Sequence, residues 1–224
     1  MILRAYNCEN AEIDLASNVA VLELMRPEIF NNVLLDLTAS VFPAREVAIE
    51  DGEKLLGTND ILCISDMLDL SLSGKTLLGK LYKHIDNVVF SDPEERMNLD
   101  NSISRLRQYF LGALRCLDVD LDTSPKIEVK DVCAMFGLTP FCATDDIACK
   151  LEQFTTLCAE LKLCKVLVLI QAKAYMDDLS LESVYRNALR HRIGLIMAES
   201  AHRQEKLYAE KKLIVYKDFS DQIL

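Results

Sequence analysis

Glycine and proline are scarce in this chain, seven and five among 224 residues. That excludes collagen-like, linker-like and low-complexity sequences. Histidine occurs three times, and no two of the eight cysteines form a Cys-x-x-Cys pair. The common zinc frameworks are therefore missing. The cysteines are Cys8, Cys63, Cys116, Cys133, Cys142, Cys149, Cys158 and Cys164; several sit in apolar runs such as ILCIS and LKLCKVLVL. Such thiols read as reduced and buried, in a cytosolic protein. No apolar run approaches the ~18–20 residues needed to span a bilayer. The longest, Val166–Ala172, is strand-sized, and the opening MILRAYNCENAEIDL lacks the apolar core of a secretory signal. Basic residues are also in the minority, 25 against 35 acidic ones, for a net charge of -10. A simple basic wrap around nucleic acid is excluded unless the positive charge is concentrated somewhere. Gly-x-Ser-x-Gly, His-Glu-x-x-His and dinucleotide-type glycine loops are all absent.

What is present is a folding chain, 50% hydrophobic and 27% charged, long enough for one large domain or a core with a small second lobe. The first 70 residues are strand-rich. Ile13–Leu15 and Val19–Leu24, separated by Ala16, Ser17 and Asn18, read as a hairpin. Pro27 opens an apolar-periodic helix, Val47–Ile49 is a short strand, and Ile61–Ser65 is a buried one. Residues 73–164 carry helical stripes: Leu77, Leu81, Ile85 and Val88; then Leu99, Ile103, Leu106, Phe110, Leu114 and Leu117; then Ile147, Leu151, Phe154, Cys158 and Leu161. Asp92 can cap the second of these helices and Thr144 the third. In residues 165–224, strand Val166–Ile170, helix Ser180–His191 with a Ser180 cap, and strand Ile193–Ala198 make a βαβ unit, which predicts a parallel sheet. Leu213–Tyr216 is the last strand. The expected fold is α/β: residues 1–72 and 165–224 build one head domain around a shared sheet, and residues 73–164 form an inserted α-helical domain.

Three constellations could carry chemistry. After the strand ILCIS comes Gly74-Lys75-Thr76, leading into a helix. A phosphate-binding P-loop needs Gly-x-x-x-x-Gly-Lys-Ser/Thr there. Asp69 stands where the first glycine belongs, and VLVLIQ ends at Gln171 rather than at a magnesium-holding acid. The loop reads as vestigial, with a nucleotide-dependent ATPase as the rival reading. Second, Asp118, Asp120 and Asp122, with Glu128 behind them, alternate as oxygen ligands of a hard cation such as calcium would; an acidic helix end or loop is the plain alternative. Third, charge is uneven: residues 1–72 carry -9, residues 73–164 carry -3 and residues 165–224 carry +2. The last region holds Arg186, Arg190, Arg192, Arg203, Lys206, Lys211 and Lys212, and the long helix adds Arg105, Arg107 and Arg115. Aromatic residues are sparse among these cations, so the patch suits duplex phosphates rather than stacked single-stranded bases; an ordinary basic surface is the alternative. The paired acids Asp145-Asp146 and Asp177-Asp178 read as helix caps.

The order of segments, with ILCISDMLDLS at Ile61–Ser71, Cys116-Leu117-Asp118 onward, and Val166–Ser200, resembles the small adaptation protein family of type II-A CRISPR systems. The resemblance covers nearly the whole chain. It implies a P-loop-like α/β head with an inserted helical leg, and a homotetrameric ring threaded by linear double-stranded DNA from a free end. It also implies calcium ions, no catalytic activity, a bacterial cytoplasmic location away from membranes, and partnership with the CRISPR integrase and the guide-directed nuclease. By that resemblance, the DNA-facing candidates are Arg186, Arg190, Arg192, Arg203, Lys206, Arg105, Arg107 and Arg115. The calcium candidates are Asp118, Asp120, Asp122 and Glu128, although Thr123-Ser124-Pro125-Lys126 departs from the acidic stretch the family would carry. Calorimetry with ATP and magnesium separates the rival reading: tight binding lost in Lys75→Ala supports an ATPase, and no heat removes it.

Overall fold

A computed structural model of the chain describes residues 1–5, 11–39, 46–88, 90–113, 126–216 and 220–224. It divides into two compact units, one of Met1–Leu70 with Cys142–Leu224, the other of Ser71–Phe141.

The first unit holds two sheets. Strands β1 (Ile2–Ala5), β2 (Ala11–Asp14), β4 (Val47–Asp51) and β5 (Lys54–Leu55) form an antiparallel sheet of order β2-β1-β4-β5. Strands β3 (Val19–Leu24), β6 (Ile61–Ile64), β7 (Val166–Ile170), β8 (Gly194–Glu199), β9 (Glu210–Val215) and β10 (Asp221–Ile223) form the larger sheet, of order β10-β9-β3-β8-β7-β6. It is parallel apart from β10. Segments from both ends of the chain thus share one sheet, as expected. The Ile13–Leu15/Val19–Leu24 hairpin does not form. All six residues of β3 are buried, which suits a central strand covered on both faces and not a hairpin arm with one wet face. The Asp14 carboxylate turns the chain from one sheet to the other, accepting from the Ala16 N–H (2.9 Å) and the Ser17 hydroxyl (2.8 Å).

One face of the large sheet presents Leu22, Leu24, Val168, Ile196 and Leu213 to the antiparallel sheet and to helix α1 (Pro27–Ala39), which contributes Val33 and Leu37. Helix α2 (Lys75–Val88), helix α3 (Pro93–Ala113) and helix α4 (Val129–Met135) belong to the second unit. In it, Asp92 caps α3 through the Glu94 N–H (2.9 Å), as predicted. Helix α3 has no buried residue, and Leu99, Ile103 and Leu106 face Val132, Met135 and Phe136 across an apolar groove of about 540 Å³. Helix α5 (Ile147–Glu160) belongs to the first unit, not to the inserted segment where its stripe was placed. Its apolar side finds a partner there, helix α6 (Asp178–Arg190). The caps of α5 and α6 are Asp146 and Asp177, accepting from the Cys149 and Ser180 N–H groups, rather than Thr144 and Ser180. No helix among the described residues is long and apolar enough to cross a membrane.

The other face of the large sheet carries charge. Residues alternate across a strand, so Glu210 and Lys212 of β9 and Glu23 of β3 enter the same interior layer; Glu23 and Lys212 are fully buried. Lys212 Nζ lies 3.2 Å from Glu23 and 3.7 Å from Glu210, and donates to the carbonyls of Arg203 (2.7 Å) and Glu205. Lys173 Nζ pairs with Glu210 at 2.7 Å, its N–H donates to Glu199, and His202 Nδ1 sits 2.5 Å from Glu23. The Tyr185 hydroxyl of α6 donates to Glu210 at 2.9 Å. Burial first, then the Glu210 charge, drives the Tyr185 hydroxyl far above its ordinary range. Burial likewise raises the Glu199 carboxyl, against the Lys173 N–H and the Lys173 and Arg203 charges.

Lys212, counted with the surface cations in the sequence, is therefore an interior residue. Removing one partner of a buried ion network leaves the others uncompensated, at a cost of about 3–5 kcal/mol. Lys212→Met should lower the urea midpoint accordingly. The neighbouring exposed Lys211→Met should change stability by less than about 0.5 kcal/mol. Equal, small effects of the two would overturn this account of the interior.

Candidate nucleic-acid interface

Helix α6 separates its two faces cleanly. Leu181, Val184, Tyr185 and Ala188 are buried, while Arg186 and Arg190, one turn apart, are exposed. Arg186 pairs with Glu182 at 3.1 Å, and its guanidinium lies 4.9 Å from the centre of the Tyr208 ring. Arg190 approaches His191 Nε2 at 3.4 Å. Arg192, also exposed, follows the helix in the left-handed conformation at φ 57°.

The end of α5 repeats this arrangement. Lys162 takes φ 50°, and the Leu163 N–H returns to the Cys158 carbonyl (2.9 Å) just as the Ile193 N–H returns to Ala188 (3.0 Å). Both helices thus stop in a Schellman turn with a cation where glycine is usual. The positive charge complements the carboxyl ends of the helix dipoles. Lys162, Lys165, His191 and Arg192 come together around a shallow cleft of about 470 Å³ at the amino ends of β7 and β8. Asp51 also lines it, pairing with Lys165 at 2.7 Å and holding that ammonium above its ordinary range. Lys162 and Lys165 were missed in the sequence. The signal was the repeated helix end, LKLC against HRIG, each a basic residue followed by an apolar one shortly before a strand.

The other candidates divide. Arg203 is half-buried and engaged, donating to the Lys173 carbonyl (2.5 Å) and lying 3.4 Å from Asp178, so it ties the buried network to the start of α6. Lys206 is exposed. Arg105 is exposed and Arg107 half-buried on α3, in the second unit. Arg115, Asp118, Asp120 and Asp122 lie outside the described residues. Glu128 stands at the start of α4, where it pairs with Lys130 at 2.7 Å and its N–H donates to Asp131 (3.0 Å). Glu128 alone does not make a calcium site, and among the described residues no three His, Cys, Asp or Glu side chains gather in a way that could hold a metal ion.

In the loop after β6 the Asp66 carboxylate accepts from the N–H groups of Leu68 (2.9 Å) and Asp69 (3.2 Å). Gly74 is not left-handed; among the described glycines only Gly52 and Gly137 are. Lys75 and Thr76 are exposed in the first turn of α2.

A family model described as "CRISPR-associated protein (Cas_Csn2)" matches residues 44–219. No curated protein matches the chain. Among solved structures it is similar to the crystal structure of Stu0660 of Streptococcus thermophilus, at 15% identity and a TM-score of 0.49, over 100% of this chain and 76% of that one.

The left-handed helix ends give a direct test. A β-branched residue is strained at positive φ by about 1–2 kcal/mol, whereas glycine is not. Arg192→Val and Lys162→Val should therefore lower thermal stability, and the glycine variants should leave it level or raise it. Equal losses from Val and Gly would contradict this geometry.

Proposed function

The chain belongs to the CRISPR-associated Csn2 family, matched over residues 44–219, and from that premise we propose that it binds ends of linear double-stranded DNA, without catalysis or base readout, in a ring of four copies serving spacer acquisition. Family membership supports the CRISPR-associated role. The observation that carries the DNA reading is the placement of cations on the first unit. In a protein of net charge -10, Arg186, Arg190 and Arg192 are exposed along and just beyond one helix, with Lys162 and Lys165 at the neighbouring helix end. Rigid, clustered cations without interleaved base-reading side chains suit phosphate contact. Repetition by symmetry multiplies weak contacts, as linked sites do, and a closed ring selects ends because only an end can enter it. Exposed apolar side chains on α3, Met97, Tyr109 and Phe110 among them, support assembly between copies. The integrase and the guide-directed nuclease of the same system are its partners in this reading.

Linear duplex should shift in a native gel and closed circular duplex should not; equal binding to both removes threading. Affinity should fall with salt at a log–log slope of roughly −0.9 per phosphate neutralised. The triple variant Arg186→Ala, Arg190→Ala, Arg192→Ala should flatten that slope by about as many phosphates as these side chains contact. An unchanged slope takes these residues off the DNA path, and a single-subunit solution mass with and without DNA removes the ring.

A further inference from the structure

Cys142 and Cys149 lie with their sulfurs 3.3 Å apart. Both are half-buried, whereas Cys133, Cys158 and Cys164 are buried and burial pushes the Cys63 thiol up to about 11. Cys149 sits in the first turn of α5, three residues after the cap Asp146. Cys142 is the residue at which the chain enters the first unit from the Ser71–Phe141 unit. The two thiols are not equivalent. The Thr144 N–H, and then Cys149, hold the Cys142 thiol below its ordinary value. Cys149 is raised, because its neighbour Cys142 and burial together outweigh a lowering bond from Thr144. Cys142 is therefore the readier of the two thiols to ionise. No third His, Cys, Asp or Glu joins them as a metal site among the described residues, so the pair is suited to thiol chemistry rather than to zinc.

We propose that Cys142 and Cys149 are an oxidisable dithiol that reacts with a hydroperoxide and closes to a disulfide. The Cys142 thiolate attacks one peroxide oxygen. The S–O bond forms as the O–O bond breaks, and the departing alkoxide or hydroxide takes a proton to leave as alcohol or water. Cys142 is then a sulfenic acid. The Cys149 sulfur attacks it, the S–S bond forms, and the hydroxyl leaves as water with the Cys149 proton. Two thiols lose two electrons and the hydroperoxide gains them. The sulfurs need to close by only about 1.3 Å. The product closes a short loop around the point of entry into the first unit, fixing Cys142 to the start of α5.

The test is peptide mapping of the intact protein after stoichiometric hydrogen peroxide, unfolding and alkylation. The expected result is one peptide pair joined through Cys142 and Cys149, two hydrogens lighter than the reduced pair, with the other six of the eight cysteines alkylated. A dithiol reductant should restore both thiols. In Cys149→Ser, peroxide followed by dimedone should label Cys142; in Cys142→Ser, Cys149 should remain an alkylatable thiol. Full alkylation of both cysteines in the peroxide-treated wild type, or a disulfide joining either to another cysteine, overturns the proposal. Wild-type mapping decides the matter even if a serine variant folds poorly.

Discussion

Everything that α6 presents to solvent depends on a charge network beneath it. Glu23, Glu210 and Lys212 sit in the interior of the parallel sheet, and Lys173 and His202 approach them from the loops after β7 and β8. Such groups are tolerated only when each is compensated. Compensation fixes position: Tyr185 reaches from α6 to Glu210, and Arg203 spans from the Lys173 carbonyl to Asp178 at the start of the helix. The helix is thus docked by directional bonds as well as by Leu181, Val184 and Ala188. The exposed Arg186 and Arg190 inherit that fixed orientation.

The same network marks where sequence reasoning stopped. The apolar runs VLVLI and ILCI announced parallel strands, and the βαβ unit followed from their spacing. Glu23 was visible as an acid inside the strand Val19–Leu24, but periodicity cannot say which face is covered on both sides. Lys212 was therefore read as surface charge, and Val19–Leu24 as a hairpin arm. Pairing across distant segments decided both. The stripe of α5 was recognised, yet a stripe names no partner, and α6 proved to be it. Among the site residues, Arg186, Arg190 and Arg192 were legible from charge and helical spacing. Lys162 and Lys165 were not, because they become neighbours of Arg192 only where two helix ends meet the same sheet edge.

Charge explains how an anionic chain can still contact phosphate. The acidic excess of the first 72 residues includes Asp14, Asp51, Asp66 and Glu50, and each is held locally: in a turn, against Lys165, in the loop after β6, or against Arg4. The late cations instead gather on α6 and at two left-handed helix ends, where conformation as well as charge is specified.

The sheet's strand order also governs how the protein can be made. Strand β3 has β8 and β9 as its only neighbours in the sheet, with Ala20 beside Ile196 and Lys211. At ribosomal speeds of ~5–20 residues per second, those partners emerge on the order of ten to thirty seconds after it. Throughout that interval the nascent VAVLEL segment lacks the lateral hydrogen bonds of its sheet. Late-closing parallel sheets are slow and expose sticky intermediates, so the nascent chain needs shelter until β9 has followed β3 into the sheet.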